Sequence, residues 1–226
     1  MDSNAQFVSR VVSAARAVTK DDHISRRYVL QVGRSKVSTY ISQKLADRSL
    51  YRESNLYQTL KCFELKTDDI VNCDIVQFRR CKQLVKSKYK LPQLIYSKYG
   101  SSILRVTSVD DGTEIDMASL SEISSESRRE FGGKFLKYYV HNDYVYIPNS
   151  TLKGVNVEVL SLDEKGVRDV SGCKDESEDC KSVWEYKFIC PDKLYEPIVQ
   201  ETLSEVINFY KRIQQDESPN LNNNEK

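Results

Sequence analysis

Apolar residues recur at helical spacing near both ends of the chain. Near the N-terminus the stripe comprises Phe7, Val8, Val11, Val12, Ala15 and Val18. Such spacing predicts an amphipathic helix, and Ser3 or Asn4 can cap its start. A second stripe predicts a helix from about Ile24 to Leu45, with a one-residue slip and a bend at Gly33. A third helix is predicted from near Pro197, with the apolar positions Val199, Leu203, Val206, Tyr210 and Ile213.

The middle of the chain has the shorter, β-rich patterns that are typical of strands. We expect strands or buried extended segments over 57–66, 70–78, 94–100, 101–109, 134–149 and 154–163. The Asp-Gly pair within 109–115 predicts a hairpin turn, and the strands of 134–149 flank a second turn at 141–143. Ser119 and Glu122 form a capping box, which predicts a helix over about 119–131. The polar stretch 163–182 predicts a surface loop with at most a short helix.

These patterns predict an α+β fold. Terminal amphipathic helices, in residues 1–50 and 195–215, must bury their apolar faces, and packing them as a helical bundle is the economical solution. Residues 51–194 would then form a β-rich insertion with one helix near 119–131. Residues 216–226 are polar and have no means of burying themselves, so they are expected to be a flexible tail.

Charge distribution narrows the possible functions. The 226 residues include 34 Lys and Arg against 33 Asp and Glu, so the net charge is only +1. A dedicated nucleic-acid binder usually has a clear basic excess. Any affinity for nucleic acid must therefore come from a local patch.

One stretch, 79–99, holds basic residues and tyrosines but no acidic residue. Lysine and arginine can neutralise phosphates, and tyrosines can stack on single-stranded bases. A solvated strand edge, protected from aggregation by lysines, explains the same residues. The predicted basic patch comprises Arg79, Arg80, Lys82, Lys86, Lys88 and Lys90. Acidic residues concentrate elsewhere, at Asp175, Glu176, Glu178 and Asp179, which gives the chain a two-sided surface.

Motifs for catalysis are absent from the sequence. There is no Gly-rich phosphate loop, no Gly-x-Ser-x-Gly and no His-Glu-x-x-His, and the two histidines lie on unrelated elements. We expect no enzyme activity and no cofactor. No apolar run is long enough to cross a bilayer, and the first residues lack the pattern of a secretory signal.

The six cysteines are expected to be free thiols in a reducing cytosol. Cys62, Cys73 and Cys81 have apolar surroundings typical of buried structural thiols. Cys173, Cys180 and Cys190 are weak candidates for a metal site, because their spacing does not match the Cys-x-x-Cys pairs that zinc prefers. A disulfide between Cys173 and Cys180 is sterically conceivable but disfavoured in that compartment.

Several segments together resemble a known family. They are QKLADRSLYRESNLYQTLKCFEL, CKQLVKSKYKLPQLIYSKYGSSILRVTSVD, YVYIPN followed by VNVEVL, and CPDKLYEPIVQETLSEVINFYKRIQQDESPNLNNNE. In this succession the chain is similar to the head-to-tail connector (neck or ring) proteins of crAss-like podophages. The likeness covers much of the chain and carries no catalytic residues.

The resemblance implies a structural virion protein, made in the cytoplasm of the bacterial host. It would form a homo-oligomeric ring, usually dodecameric, beneath the portal protein, next to other neck or tail rings. The ring would extend the channel for double-stranded DNA. The tail would dock on the portal through Asp216, Glu217, Pro219, Asn220 and Leu221. The basic patch would face either the DNA in the lumen or the acidic residues of a neighbouring subunit.

An alternative remains at this point. The chain could be a monomeric protein that binds nucleic acid without sequence preference through the basic, tyrosine-rich run 79–99. Assembly into a ring would support the connector, and salt-dependent DNA binding by a stable monomer would support the alternative.

Overall fold

The computed structural model describes residues 2–19, 23–44, 56–68, 83–95, 102–110, 112–126, 136–173 and 181–217. Five helices lie in this part: α1 (Asn4–Thr19), α2 (Arg26–Lys44), α3 (Leu120–Glu126), α4 (Glu164–Val170) and α5 (Tyr195–Glu217). The strands are β1 (Tyr57–Asp68), β2 (Leu84–Ser87), β3 (Ile103–Ser108), β4 (Asp116–Met117), β5 (Lys137–His141), β6 (Tyr144–Pro148) and β7 (Gly154–Leu160). None of the helices in the described ranges has the length and apolar character needed to span a bilayer.

The chain divides into two compact units. A helical unit contains Met1–Leu56, Ser97–Tyr99 and Cys180–Lys226. A strand unit contains Tyr57–Tyr96 and Gly100–Asp179. The three longest helices therefore belong to the first unit, and all seven strands with the two short helices belong to the second.

The helical unit is organised around one aromatic cluster. Helices α1, α2 and α5 contact one another, and Phe7 of α1 is fully buried among them. Its ring stacks on Phe188 at 3.8 Å between centroids and meets Tyr195 edge-on at 6.2 Å. Gly33 provides the space, because a Cβ there would lie 2.5 Å from the ring of Phe7. Helix α2 continues through Gly33. The role of this glycine is therefore close packing between α1 and α2.

The strand unit is built on a seven-stranded, nearly closed sheet. The strand order is β3-β7-β1-β2-β6-β5-β4, and every pairing is antiparallel except that of β4 with β5. The two ends of the order meet, because Thr107 forms a bridge with Glu114 and the Ile115 amide donates to Val106 at 2.8 Å. The long strand β1 pairs with β7 along its first part and with β2 along its last part. The sheet thus curls into a barrel-like layer.

The core of the strand unit lies inside this curl. Alternate residues of β7 point inward, so Val155, Val157 and Val159 are fully buried while the residues between them are half-buried. Inward residues from other strands join them, and Val167 of α4 belongs to the same cluster. A second, smaller cluster lies outside the barrel, where α3 packs over β2, β5 and β6: Leu84, Ala118, Ile123, Tyr139 and Tyr146.

The predicted fold class is wrong. An α+β arrangement of terminal helices with a β-rich insertion does not describe the chain, which is a mixed α/β protein with a nearly closed barrel-like sheet and five helices in the described part. Helices α3 and α4 lie within the strand unit, and α4 contacts β1. Periodicity detects single elements, whereas the closure of a barrel depends on pairings between strands far apart in sequence.

Several local predictions are confirmed. The turn predicted after β3 is a hairpin, in which the Ser108 amide donates to the Thr113 carbonyl at 2.9 Å. The β5–β6 turn places Asn142 and Asp143 at φ 51° and 65°, as tight hairpins require. The strand predicted over 70–78 lies outside the described residues.

The capping box at the start of α3 is present in the structure. The Ser119 amide donates to Glu122 Oε2 at 2.7 Å, and the Glu122 amide donates to Ser119 Oγ at 3.3 Å. The hydrogen bond from the Ser119 backbone, followed by one that the Ser119 hydroxyl donates to Glu122 Oε2 at 2.9 Å, lowers the pKa of Glu122. A lowered pKa means that the carboxylate stabilises the folded form above the ordinary glutamate range and loses this effect as the pH falls.

Replacing Ser119 by alanine is therefore expected to raise the pKa of Glu122 towards its ordinary value, because the bond from the hydroxyl is lost. A pH titration of the Glu122 side-chain carbon by NMR measures this change. Ser119→Thr, which keeps the hydroxyl, is the matched control and should leave the titration nearly unchanged. Equal titrations in wild type and Ser119→Ala would show that the capping box does not hold in solution.

Candidate interaction surface

Only part of the predicted basic patch lies in the described residues. Lys86 belongs to β2, and Lys88 and Lys90 follow it directly. The other three members, Arg79, Arg80 and Lys82, lie outside the described residues. The described part of the basic surface is therefore the second half of the run.

Strand pairing brings tyrosines of β6 beside Lys86. Lys86 is the register partner of Tyr146, and alternation along β2 and β6 puts both side chains on the outer face of the barrel. The Lys86 ammonium lies 4.2 Å from the ring centroid of Tyr144 and 5.4 Å from that of Tyr146. The Lys90 ammonium lies 5.8 Å from the Tyr144 centroid. Cation–π attraction therefore holds the lysine stems along the aromatic surface.

Lys88 is held differently. Its ammonium forms an ion pair with Glu64 of β1 at 2.5 Å and lies 5.1 Å from the ring centroid of Tyr89. The hydrogen bond to Glu64 is the main cause that raises the pKa of Lys88. Both side chains of this pair are about half exposed, so the pair adds little to stability but fixes where the ammonium lies. We call Lys86, Lys88, Tyr89, Lys90 and Tyr144 the lysine–tyrosine patch.

The chemistry of this patch suits a negatively charged partner. Lys88 and Lys90 are exposed, Lys86 is half-buried beside them, and Tyr89 is 44% exposed. The tyrosines are poorly placed to take up bases, because Tyr139 and Tyr146 stack on each other at 5.0 Å and Lys86 covers Tyr144. Contacts with phosphates or carboxylates therefore fit the geometry better than base stacking.

The expectation of free thiols is wrong for two cysteines. Cys62 and Cys173 form a disulfide across 111 residues of sequence, with their Cα atoms 5.3 Å apart. Cys62 lies at φ 51° where β1 slips its register against β7, and its amide donates to Asn156 Oδ1 at 2.9 Å. Gly172 lets the chain next to Cys173 come close to Cys62, because a Cβ at Gly172 would lie 2.3 Å from the Cys62 carbonyl oxygen.

This pairing removes Cys173 from the weak metal candidates. Of the other two, Cys190 is a buried thiol outside the disulfide, whose Sγ–H donates to the Pro191 carbonyl at 3.4 Å, and Cys180 lies outside the described residues. Within the described ranges, no group of three or more potential ligand side chains comes together to hold a metal ion. Sequence spacing pointed to Cys180 as the nearest partner, whereas the β1 bulge brings Cys62 into reach.

The two remaining predicted sites are mostly beyond the described residues. The acidic residues Asp175, Glu176, Glu178 and Asp179 lie outside them, as do Pro219, Asn220 and Leu221 of the tail. Asp216 and Glu217 are the last two residues of α5. Their roles in assembly stay predictions.

Sequence reasoning missed a second surface, at the junction where β3 meets the chain entering β4. We call it the barrel seam, and it comprises Leu104, Val109, Asp110, Glu114, Asp116 and Met117, all exposed. A signal for it was available: residues 106–127 contain six acidic residues and no Lys or Arg. That stretch is the counterpart, with opposite sign, of the basic run 79–99.

Comparison with known families gives one match over nearly the whole chain. The model of a family described as phage tail ring protein 2 matches residues 6–225. No curated protein matches the chain.

Proposed function

Because this chain belongs to the phage tail ring protein 2 family of crAss-like phages, we propose that it assembles as a closed ring at the portal–tail junction. The family makes it a structural phage protein of the virion, and it confirms the resemblance found in the segments of the sequence. In the proposed role the ring, of twelve copies or a similar number, extends the DNA channel and joins head to tail. No catalytic step is needed for that role.

The extent of the family match is the observation that carries this proposal. It includes both units of the chain, from the start of α1 to the end of the tail. Charge supports it as well. A wall past which DNA slides must not bind phosphate tightly, and a net charge of +1 with one modest lysine–tyrosine patch meets that demand.

The tail is proposed to dock on the portal protein. Asp216 and Glu217 end α5, and the mostly polar stretch after them, which also holds Pro219, Asn220 and Leu221, is suited to ordering on a partner. Helix α5, which this segment would follow, packs on α1 and α2 of the helical unit.

Co-expression with the portal protein of the same phage tests the proposal. Electron microscopy of the purified complex is expected to show a ring with a central pore on the portal. A chain that ends at residue 215 should still form the ring but should lose co-purification with the portal. A wild-type chain that stays monomeric and never co-purifies would overturn the proposed function.

The lysine–tyrosine patch also favours a second candidate, a monomer that binds nucleic acid without sequence preference. Its three lysines could neutralise phosphates, in which case binding would weaken steeply as salt rises. Tight, salt-sensitive binding of arbitrary DNA by a stable monomer would favour this candidate. Ring formation with no such binding would exclude it.

A further inference from the structure

The exposed apolar side chains of the strand unit concentrate at two places. Among the described residues of that unit, the large hydrophobic side chains classed as exposed are Tyr89, Leu104, Val109 and Met117. Tyr89 belongs to the lysine–tyrosine patch, and the other three belong to the barrel seam. Exposed apolar groups that cluster beside polar ones are typical of surfaces that contact another protein.

The same two surfaces carry opposite charge. The patch has Lys86, Lys88 and Lys90, and Glu64 is paired with Lys88. The seam has Asp110, Glu114 and Asp116, against Lys137, the register partner of Asp116, and Arg105, whose guanidinium is already paired with Glu158 of β7 at 2.8 Å. Each surface therefore keeps an excess of its own sign, and the two are complementary.

Their positions around the barrel are also complementary. Strand β2 is fourth in the order of seven, so two strands separate it from β3 on one side and two separate it from β4 on the other. Because β3 and the chain entering β4 meet at the bridge between Thr107 and Glu114, the seam lies across the barrel from β2. One strand unit thus presents a basic surface on one flank and an acidic surface on the opposite flank.

We propose that neighbouring copies in the ring contact each other head to tail, with the lysine–tyrosine patch of one copy against the barrel seam of the next. This inference rests on the proposed function, because it assumes a ring. A ring needs heterologous contacts in which one face meets a different face. The occupant of each surface is a second copy of this chain, and Tyr89 meets the apolar side chains Leu104, Val109 and Met117.

Charge reversal on the full chain tests the contact. The patch variant is Lys88→Glu with Lys90→Glu, and the seam variant is Glu114→Lys with Asp116→Lys; all four side chains are exposed. Each variant alone is expected to associate at least about tenfold more weakly, since like charges would face each other. A chain with all four changes should assemble again, and so should an equimolar mixture of the two variants. Sedimentation velocity and electron microscopy measure assembly.

A matched control carries the same change of charge elsewhere in the same unit. Lys61→Glu with Lys153→Glu alters two exposed lysines outside the patch and should assemble like wild type. Assembly of the patch variant at wild-type strength, or failure of the four-fold variant to recover while it remains folded, would overturn the interface and leave the ring standing. A wild-type chain that forms no ring with the portal would instead overturn the proposed function.

Cross-linking of the wild-type ring gives an answer that does not depend on how the variants fold. A carbodiimide joins a lysine amine directly to a carboxylate. Rings assembled from a mixture of ¹⁴N- and ¹⁵N-labelled chains distinguish links between two chains, which carry both labels, from links within one chain. We expect mixed-label links from Lys88 or Lys90 to Glu114 or Asp116. Abundant mixed-label links that all avoid these residues would contradict the proposed contact.

Discussion

Under oxidising conditions, replacement of Cys173 by serine is expected to lower the free energy of unfolding by about 4 kcal/mol. The disulfide to Cys62 closes a loop whose ends are 111 residues apart, and a cross-link over so long a loop removes much of the freedom of the unfolded chain. It joins the bulge of β1 to the chain that follows α4. Most of the strand unit lies within that loop.

Unfolding in urea, monitored by hydrogen exchange, measures the effect. Mass spectrometry of peptides assigns the exchange to one unit or the other. The loss should appear in the strand unit. Cys173→Ser is preferable to a change at Cys62, because Cys173 is exposed, whereas Cys62 lies at φ 51° in the bulge.

A reductant supplies the control for the disulfide experiment. In its presence the wild-type chain loses the same bond, so the difference between wild type and Cys173→Ser should vanish. A difference that persists unchanged in reductant would show that the serine acts by some route other than the disulfide.

The Phe7→Ala variant is expected to lower the free energy of unfolding of the helical unit by about 3–5 kcal/mol. Phe7 is fully buried, stacks on Phe188, and lies against Gly33, which has no side chain to move into the vacated space. Truncation therefore removes aromatic contacts and leaves a cavity between α1 and α2. The expected cost is large because the surroundings cannot collapse to fill it.

Tryptophan fluorescence measures this change conveniently. The chain has one tryptophan, Trp184, and its carbonyl accepts a bond from the Ala5 amide at 3.1 Å, so it reports on the start of α1. Val18→Ala is the matched control on the same helix, because Val18 is 53% exposed and its truncation should cost under about 0.5 kcal/mol. Equal destabilisation by the two substitutions would contradict the packing described for Phe7.

The local elements of this protein could be predicted from sequence because their causes are local. The apolar stripe of α1, the capping box at Ser119 and the alternation of β7 each involve residues within a few positions of one another. The basic run was recognised for the same reason, since its charges lie within twelve residues of sequence. The sequence predicted a bend at Gly33 but did not identify the residue that packs against this glycine, which is Phe7 on another helix.

The remaining features depend on residues far apart in the chain. No spacing rule connects Cys62 with Cys173, and the free-thiol expectation followed from an assumed cytosolic compartment, whereas the family places the chain in a virion. The seam escaped notice for a related reason. Its acids were visible in sequence, but their position opposite β2 follows only from the order of strands around the barrel.

By itself, the amino-acid sequence determined the approximate positions of the three long helices and of most strands, that charge is balanced overall but segregated locally, and which family the segments resemble. Strand β2, inside the basic run, was not among the predicted strands. The elements and the charge distribution follow from the spacing of apolar residues and from composition, whereas the resemblance rests on the segments themselves. Tertiary structure alone decided that the strands curl into a nearly closed sheet, that two distant cysteines meet, and that basic and acidic surfaces lie on opposite flanks. Such features arise from pairings across long stretches of chain, whose partners are selected by burial and shape once the whole unit packs.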